Sequence, residues 1–393
     1  MLAKRVSHIK PAPTLALSAK INQLKAQGVD VVGFGAGEPD FDTPEFVKLA
    51  CIKALQEGKT KYAPPAGIPE LRQALAEKLL RENRVEYKPS EIVITAGAKM
   101  ALFLVKLALL EEGDEVLLPS PYWVTYPEQI LLCGAKVVEV PLKEEDGFVL
   151  SADLLKDFIT PRTKMLILNY PSNPTGAVIP RKELERIAEL CLENNIFIVS
   201  DECYEAFLYD DEEFVSVASL SKEVREITFT VNAFSKTFSM TGWRVGYVAC
   251  PERYAKVIAD LNSQSISNAT TFAQYGALEA LKNPQAKDFV KRMRETFKRR
   301  RDLAYELLKE IPNARVVKPK GAFYIFPNFK HYSQKLGSDL RLAEYLLEKG
   351  KVACVPGSAF GAEGYMRLSY CVSEETIREG IKRIRDALSE LEG

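Results

Sequence analysis

The sequence predicts an α/β protein in which a mostly parallel sheet flanked by helices is followed by a smaller α+β domain. Three observations predict this. Short apolar runs at 92–95, 115–118, 136–140, 165–169, 196–200, 227–231 and 245–249 read as buried strands. Helical segments such as 98–111 and 181–194 separate most of them, and strands alternating with helices imply a parallel sheet covered on both faces. After Ala249 helices dominate through Ile311, and short strands at 321–326, 351–354 and 366–368 precede a final helix.

Taken in order, 14–27 is helical, with Leu17, Ile21 and Leu24 on one side and Gly28 as a stop. A short strand at 29–32 leads into Gly33-Phe34-Gly35-Ala36-Gly37-Glu38-Pro39-Asp40. This superficially resembles a dinucleotide fingerprint, but its glycine spacing is wrong and Pro39 stands where the helix should begin. It reads instead as a crossing segment where backbone approaches a ligand. Helices at 44–58 and 69–83 flank a fixed loop at 61–67. On helix 181–194, Leu184, Ile187, Leu190 and Cys191 make one apolar face. A long helix starts near Gln285, and the last one carries Ile377, Ile381, Ile384, Leu388 and Leu391 on one face, opened by Ser373 with Glu374 and Glu375 in its first turn. The expected organisation is an N-terminal segment (1–40) packing with the small domain, a large domain (41–285) and a small C-terminal domain (286–393).

Composition narrows the function. The 393 residues are 47% apolar, enough for a sizeable core. Lys plus Arg and Asp plus Glu each number 53, which argues against a nucleic-acid partner. The one basic run, Lys298-Arg299-Arg300-Arg301, reads as a solvated helix face with Glu295 and Asp302 nearby. Seven scattered cysteines without a Cys-x-x-Cys pair read as reduced thiols. The first residues lack the apolar core of a signal peptide, and no apolar stretch reaches the ~18 residues of a membrane span. A cytoplasmic protein with no membrane partner is expected. Two histidines, far apart in sequence, disfavour a His-based triad or a multi-His metal site, so no metal is expected.

Candidate chemistry collects after the strands, where ligands of such sheets sit. Lys236 lies between the apolar runs 227–231 and 245–249, among small and hydroxyl side chains. Burial there would favour a neutral amine, able to condense with a carbonyl. On this stretch alone a surface lysine in a long loop explains the residues equally well. Ile92-Val93-Ile94-Thr95-Ala96-Gly97-Ala98-Lys99 passes from strand through a small-residue turn into a helix, whose free N–H groups suit a phosphate. Asn173 is held between Pro171 and Pro174. Asp201 emerges from the apolar run 196–199 and needs a partner such as a protonated ring nitrogen, and Tyr204 can reach the same ligand.

Asn173-Pro174-x-Gly176, Asp201-x-x-Tyr204, Ser235-Lys236 and Gly242-x-Arg244-x-Gly246 occur in this order, each after an expected strand. Together they closely resemble the class I/II aminotransferases, pyridoxal 5'-phosphate enzymes of fold type I, over essentially the whole chain. The resemblance implies that Lys236 holds the cofactor covalently and acts as the catalytic base and acid. It implies that Asp201 partners the pyridine nitrogen, that Asn173 and Tyr204 hydrogen-bond the phenolic oxygen, and that Trp123 stacks on the ring. Arg244 and the turn Gly97-Ala98-Lys99 would hold the phosphate. Tyr62 would reach the phosphate of a neighbouring subunit, so a homodimer with shared sites is implied. Arg367 would grip the substrate α-carboxylate, and the backbone of Gly37 would close over the substrate. Many relatives carry a serine where this chain has Ala233, so Ser235 or other groups must compensate.

Gly37-Glu38-Pro39-Asp40-Phe41, the loop 61–71, Ser120-Pro121-Tyr122-Trp123 and Met240-Thr241-Gly242-Trp243-Arg244 resemble the prokaryotic aspartate aminotransferase branch. Trp123 and Asn173 then also border the substrate. Lys99 stands at a position linked in that branch to the distal carboxylate, although an ammonium there would also balance a phosphate. The implied reaction is aspartate plus 2-oxoglutarate to oxaloacetate plus glutamate, by a ping-pong mechanism. Prephenate and aromatic amino acids are alternatives, as is a carbon–sulfur lyase using the same Lys236; Lys10 lies in the N-terminal segment tied to prephenate specificity, although an exposed terminal lysine explains it equally well.

Overall fold

The computed structural model describes Val6, Ile9, Ile21, Gln23, Leu24 and residues 26–392. Lys10 and most of the expected helix 14–27 lie outside the described residues.

The strands are β1 (Val32–Gly33), β2 (Ile92–Thr95), β3 (Glu115–Ser120), β4 (Lys136–Pro141), β5 (Thr163–Asn169), β6 (Phe197–Asp201), β7 (Thr228–Ala233), β8 (Gly246–Ala249), β9 (Tyr324–Ile325), β10 (Val352–Ala353), β11 (Val355–Pro356) and β12 (Met366–Ser369). Seven of them form one sheet in the order β2-β8-β7-β6-β5-β3-β4. Only β8 runs against its neighbours, β2 and β7. Every residue of β2, β3, β7 and β8 is buried, as apolar runs covered on both faces must be. The two-residue period of each strand divides the core. Val93, Val116, Met165, Val231 and Val248 pack on one face, whereas Leu117, Leu166 and Ile198 pack with Leu184 and Ile187 on the other.

Two smaller sheets lie outside this one. The expected strand at 351–354 is in fact split at Cys354. Its first half, β10, pairs in parallel with β1, and β11 pairs with β12, which in turn pairs with β9. One apolar run thus serves two sheets. β1 ties the chain before Gly35 to the C-terminal third, and Ser369 N–H donates to Phe34 O at 2.8 Å.

The basic run corrects the sequence reading. Lys298 and Arg299 are exposed, but Arg300 is 8% exposed and Arg301 is 0% exposed on the helix Ala286–Lys309. Arg300 forks onto Asp40 at 2.7 and 2.8 Å, and Arg301 forks onto Asp210 at 2.9 and 3.2 Å. These bidentate pairs clamp the long helix to the segment after Gly37 and to the chain beyond β6. The run is therefore half structural, because the helix passes between other elements rather than along a solvent face. Among the described residues no helix is long and apolar enough to cross a membrane.

Candidate active site

The sheet brings distant residues to one edge. Asn169 at the end of β5 pairs with Asp201 at the end of β6, and Ala233 at the end of β7 pairs with Gly246. Arg244 is the exception to the expectation that each motif follows a strand. It lies two residues before β8, and the antiparallel course of β8 returns it to the same edge. A cavity of about 360 Å³ opens there. Its wall includes Gly37, Ala98, Lys99, Trp123 and Asn173, and on the other elements Asp201, Tyr204, Ser235, Lys236, Arg244 and Arg367.

Lys236 sits on the one-turn helix Phe234–Thr237, directly after β7. Its Nζ donates to Gly37 O and lies 5.9 Å from the centre of the Phe323 ring. Burial, above all, pulls its amine below the usual lysine range, and Arg367 adds to this against Cys203, Cys371 and Glu38. Asp201 is 4% exposed; its Oδ2 accepts from the Tyr126 hydroxyl at 2.7 Å and its Oδ1 from Cys203 N–H at 3.2 Å. Both donors are neutral, and burial raises the carboxyl above the usual range. Such a group calls for a cationic partner.

Asn173 N–H donates to Asn169 Oδ1 at 2.9 Å, and Asn169 Nδ2 donates to Asp201 O at 3.2 Å, so the proline-flanked loop is pinned to the β6 end. Arg367, in β12, is 1% exposed. Its Nη1 donates to Asn173 Oδ1 at 3.0 Å and its Nη2 to Gly35 O at 2.9 Å, while Nε, buried, has no partner. A fully buried guanidinium with an unmet N–H fits an anionic ligand of fork geometry.

The phosphate-like corner is built by close backbone approach. Gly97 caps the helix Ala98–Leu109 at φ 78°, and a Cβ on it would lie 2.4 Å from Arg244 Nη2. A Cβ on Gly246 would lie 2.5 Å from Ala98 N and 2.6 Å from Gly97 C. Arg244 has left-handed backbone at φ 56° and donates through Nη1 to Thr241 O at 2.7 Å. Gly246→Ala is expected to cost about 1–3 kcal/mol, because the atoms met are backbone and cannot rotate away. Thermal melting of the purified protein checks this, and an unchanged midpoint would contradict it. Lys99 Nζ lies 5.0 Å from the Trp123 ring centre; burial first, then Arg244, lowers its amine.

Gly97 and Tyr62 are not part of the cavity wall. Gly97 acts through the room it leaves for Arg244. Tyr62 is 88% exposed in a separate groove with Lys61 and Thr271. Sequence reasoning missed Tyr126, Tyr324, Glu38 and Thr241. Tyr324 OH lies 2.9 Å from Tyr204 OH, and its ring centre lies 4.5 Å from the Arg367 guanidinium carbon. Thr241 Oγ1 donates to Glu38 Oε2 at 2.7 Å, joining the Gly-rich segment to the loop that carries Arg244.

A strand-end cavity that holds a buried lysine amine, a buried carboxylate and two arginines defines a group-transfer site for small anionic substrates. The chain belongs to the family described as aminotransferase class I and II, whose model matches residues 29–384. It is 69% identical to a probable aspartate/prephenate aminotransferase of Aquifex aeolicus, over 99% of both chains. It is 48% identical to an aspartate aminotransferase of Bacillus sp. (strain YM-2), over 98% of both. Among solved structures, the aspartate aminotransferase of Thermus thermophilus with maleate superposes with a TM-score of 0.94 at 47% identity, covering 98% of this chain and 99% of that one.

Proposed function

We propose that this aminotransferase transfers the amino group of aspartate to 2-oxoglutarate, using pyridoxal 5'-phosphate, in a cytoplasmic homodimer. One observation carries the reading. A single cavity wall contains a lysine whose amine is shifted toward the neutral form by burial and an arginine whose buried Nε–H is unmet. The first suits covalent attachment to an aldehyde, the second a substrate α-carboxylate.

The residues fit the cofactor. Asp201 would hold the ring nitrogen, Asn173 and Tyr204 the phenolic oxygen, and Trp123 the ring face. Arg244, Ser235 and the helix start at Gly97, Ala98 and Lys99 would hold the phosphate. When bound, the cofactor supplies an electron sink that acidifies the substrate Cα–H. Lys236 Nζ would take that proton as general base and return one as general acid. Arg367 and Asn173 orient the substrate, and Gly37 with Glu38 and Thr241 covers it from water. The described segment from Val29 to Asp40 would move with the C-terminal strands in this closure, as the pairing of β1 with β10 supports.

Aspartate as donor is supported by the relatives' names and by Lys99, a cation placed to meet a distal carboxylate; maleate, in the Thermus thermophilus structure, is also a four-carbon dicarboxylate. Prephenate is a second acceptor class, favoured by the name of the 69% identical relative. The homodimer is supported by Tyr62, exposed outside its own cavity, and by the exposed Leu49, Ile52 and Leu55 on the helix Glu45–Gln56.

A panel of amino donors against 2-oxoglutarate tests the reading, with aspartate expected to be the best; pyruvate and ammonia released from cysteine instead would sink it. Lys99→Ala is expected to lower kcat/KM for aspartate roughly 10- to 100-fold relative to an uncharged donor, the value of one charge-assisted hydrogen bond. An unchanged preference would remove Lys99 from substrate recognition.

A further inference from the structure

Lys106, on the helix Ala98–Leu109, has no part in the chemistry above, yet it is 0% exposed. Its Nζ donates to Gln129 Oε1 at 3.0 Å and to Leu102 O at 3.3 Å, and lies 5.5 Å from the Tyr126 ring centre. All three partners are neutral. A methionine of similar length would fill this space without the cost of desolvating an amine, so packing does not account for a lysine. Burial brings its amine down to about 7.

Its neighbours do account for it. Tyr126 and Gln129 lie three residues apart on the helix Thr125–Leu132 and so share a face. Both are buried, at 1% and 6% exposure; Tyr126 lines the cavity, and Gln129 reaches the backbone of Lys99 beside it. The Tyr126 hydroxyl donates to Asp201 Oδ2 at 2.7 Å. Gln129 Nε2 donates to Lys99 O at 2.9 Å, in the first turn of the helix that begins at the phosphate-like corner. Occupation of Gln129 Oε1 by the lysine turns the amide so that Nε2 faces Lys99. One side chain therefore sets two others, one against the carboxylate and one against the anion-receptive turn.

We infer that Lys106 is a positioning residue for the cofactor, holding Tyr126 against Asp201 and Gln129 against Lys99 so that the two anchoring points of the cofactor keep a fixed separation. The inference rests on the proposed reading of the cavity as a pyridoxal phosphate site.

The test is Lys106→Met in the full chain. Three quantities are measured: melting of the cofactor-free protein, the Kd for pyridoxal phosphate by absorbance titration, and the pH midpoint of the bound cofactor's visible band. Melting is expected to stay the same or rise, Kd to weaken roughly tenfold, and the band midpoint to move. The loss should not multiply with that of Tyr126→Phe, because both break the same support. A wild-type Kd and band midpoint, or losses that simply multiply, would overturn the inference. If Lys106→Met does not fold, Gln129→Met removes the same hydrogen bond and carries the same expectations for Kd and band midpoint, with a lower melting temperature because the Lys106 amine stays buried without that acceptor. No uptake of pyridoxal phosphate by the wild-type protein would defeat the reading of the site itself, whereas equal uptake by wild type and variant defeats this inference alone.

Discussion

Lys236→Ala is expected to abolish transamination and leave the fold intact. The side chain makes one hydrogen bond, to Gly37 O, and burial already disfavours its charge, so its removal takes little from stability. On the proposed reading, catalysis would lose both the covalent anchor and the proton carrier at the substrate Cα. The expected fall is roughly 10,000-fold, the upper end for a positioned acid–base group. Steady-state rates with aspartate and 2-oxoglutarate, alongside a melting curve, check it. Retention of more than a few per cent of the rate would place the chemistry on another group.

Asp201→Asn is the second large effect. The amide keeps the size of the side chain and an oxygen to accept from Tyr126 or Cys203, but it removes the charge. A ring nitrogen opposite it would then shed its proton, because a dry site disfavours an unpaired cation, and the ring would draw electrons less strongly. Loss of one partner from such a buried pair costs about 3–5 kcal/mol, so kcat/KM is expected to fall roughly 150- to 5,000-fold, with weaker cofactor binding. The cofactor-free protein should melt no lower than wild type, since burial already strains the carboxylate. Unchanged kcat/KM would show that Asp201 does not face the cofactor.

The large sheet was legible because its strands are buried on both faces and so appear as unbroken apolar runs. β2 and the helix Pro69–Asn83 fall on the expected residues, the helix because Pro69 can only begin one and Arg84 leaves it in a left-handed conformation. The run 351–354 misled because periodicity does not say which sheet a strand joins. Arg300 and Arg301 misled because their partners, Asp40 and Asp210, are far away in sequence. The candidate site was legible where one local segment carries the signal, as with Asp201 at the end of an apolar run or Asn173 between prolines. Tyr126 and Tyr324 gave no such signal: their contacts join residues 75 and 120 positions apart, and a tyrosine within an apolar segment looks like core. Arg244 was found by its motif, but its position depends on β8 running antiparallel, which no residue in the motif announces.

The central claim is that Lys236 carries the cofactor. It is tested most directly by adding pyridoxal phosphate to the purified protein, reducing with borohydride, digesting, and mapping the modified lysine by mass spectrometry. The account predicts one modified peptide, containing Lys236, and none when aspartate alone has first converted the bound cofactor to its amine form. Modification of Lys99, Lys106 or another lysine in place of Lys236, or transamination with no modified lysine, would contradict it.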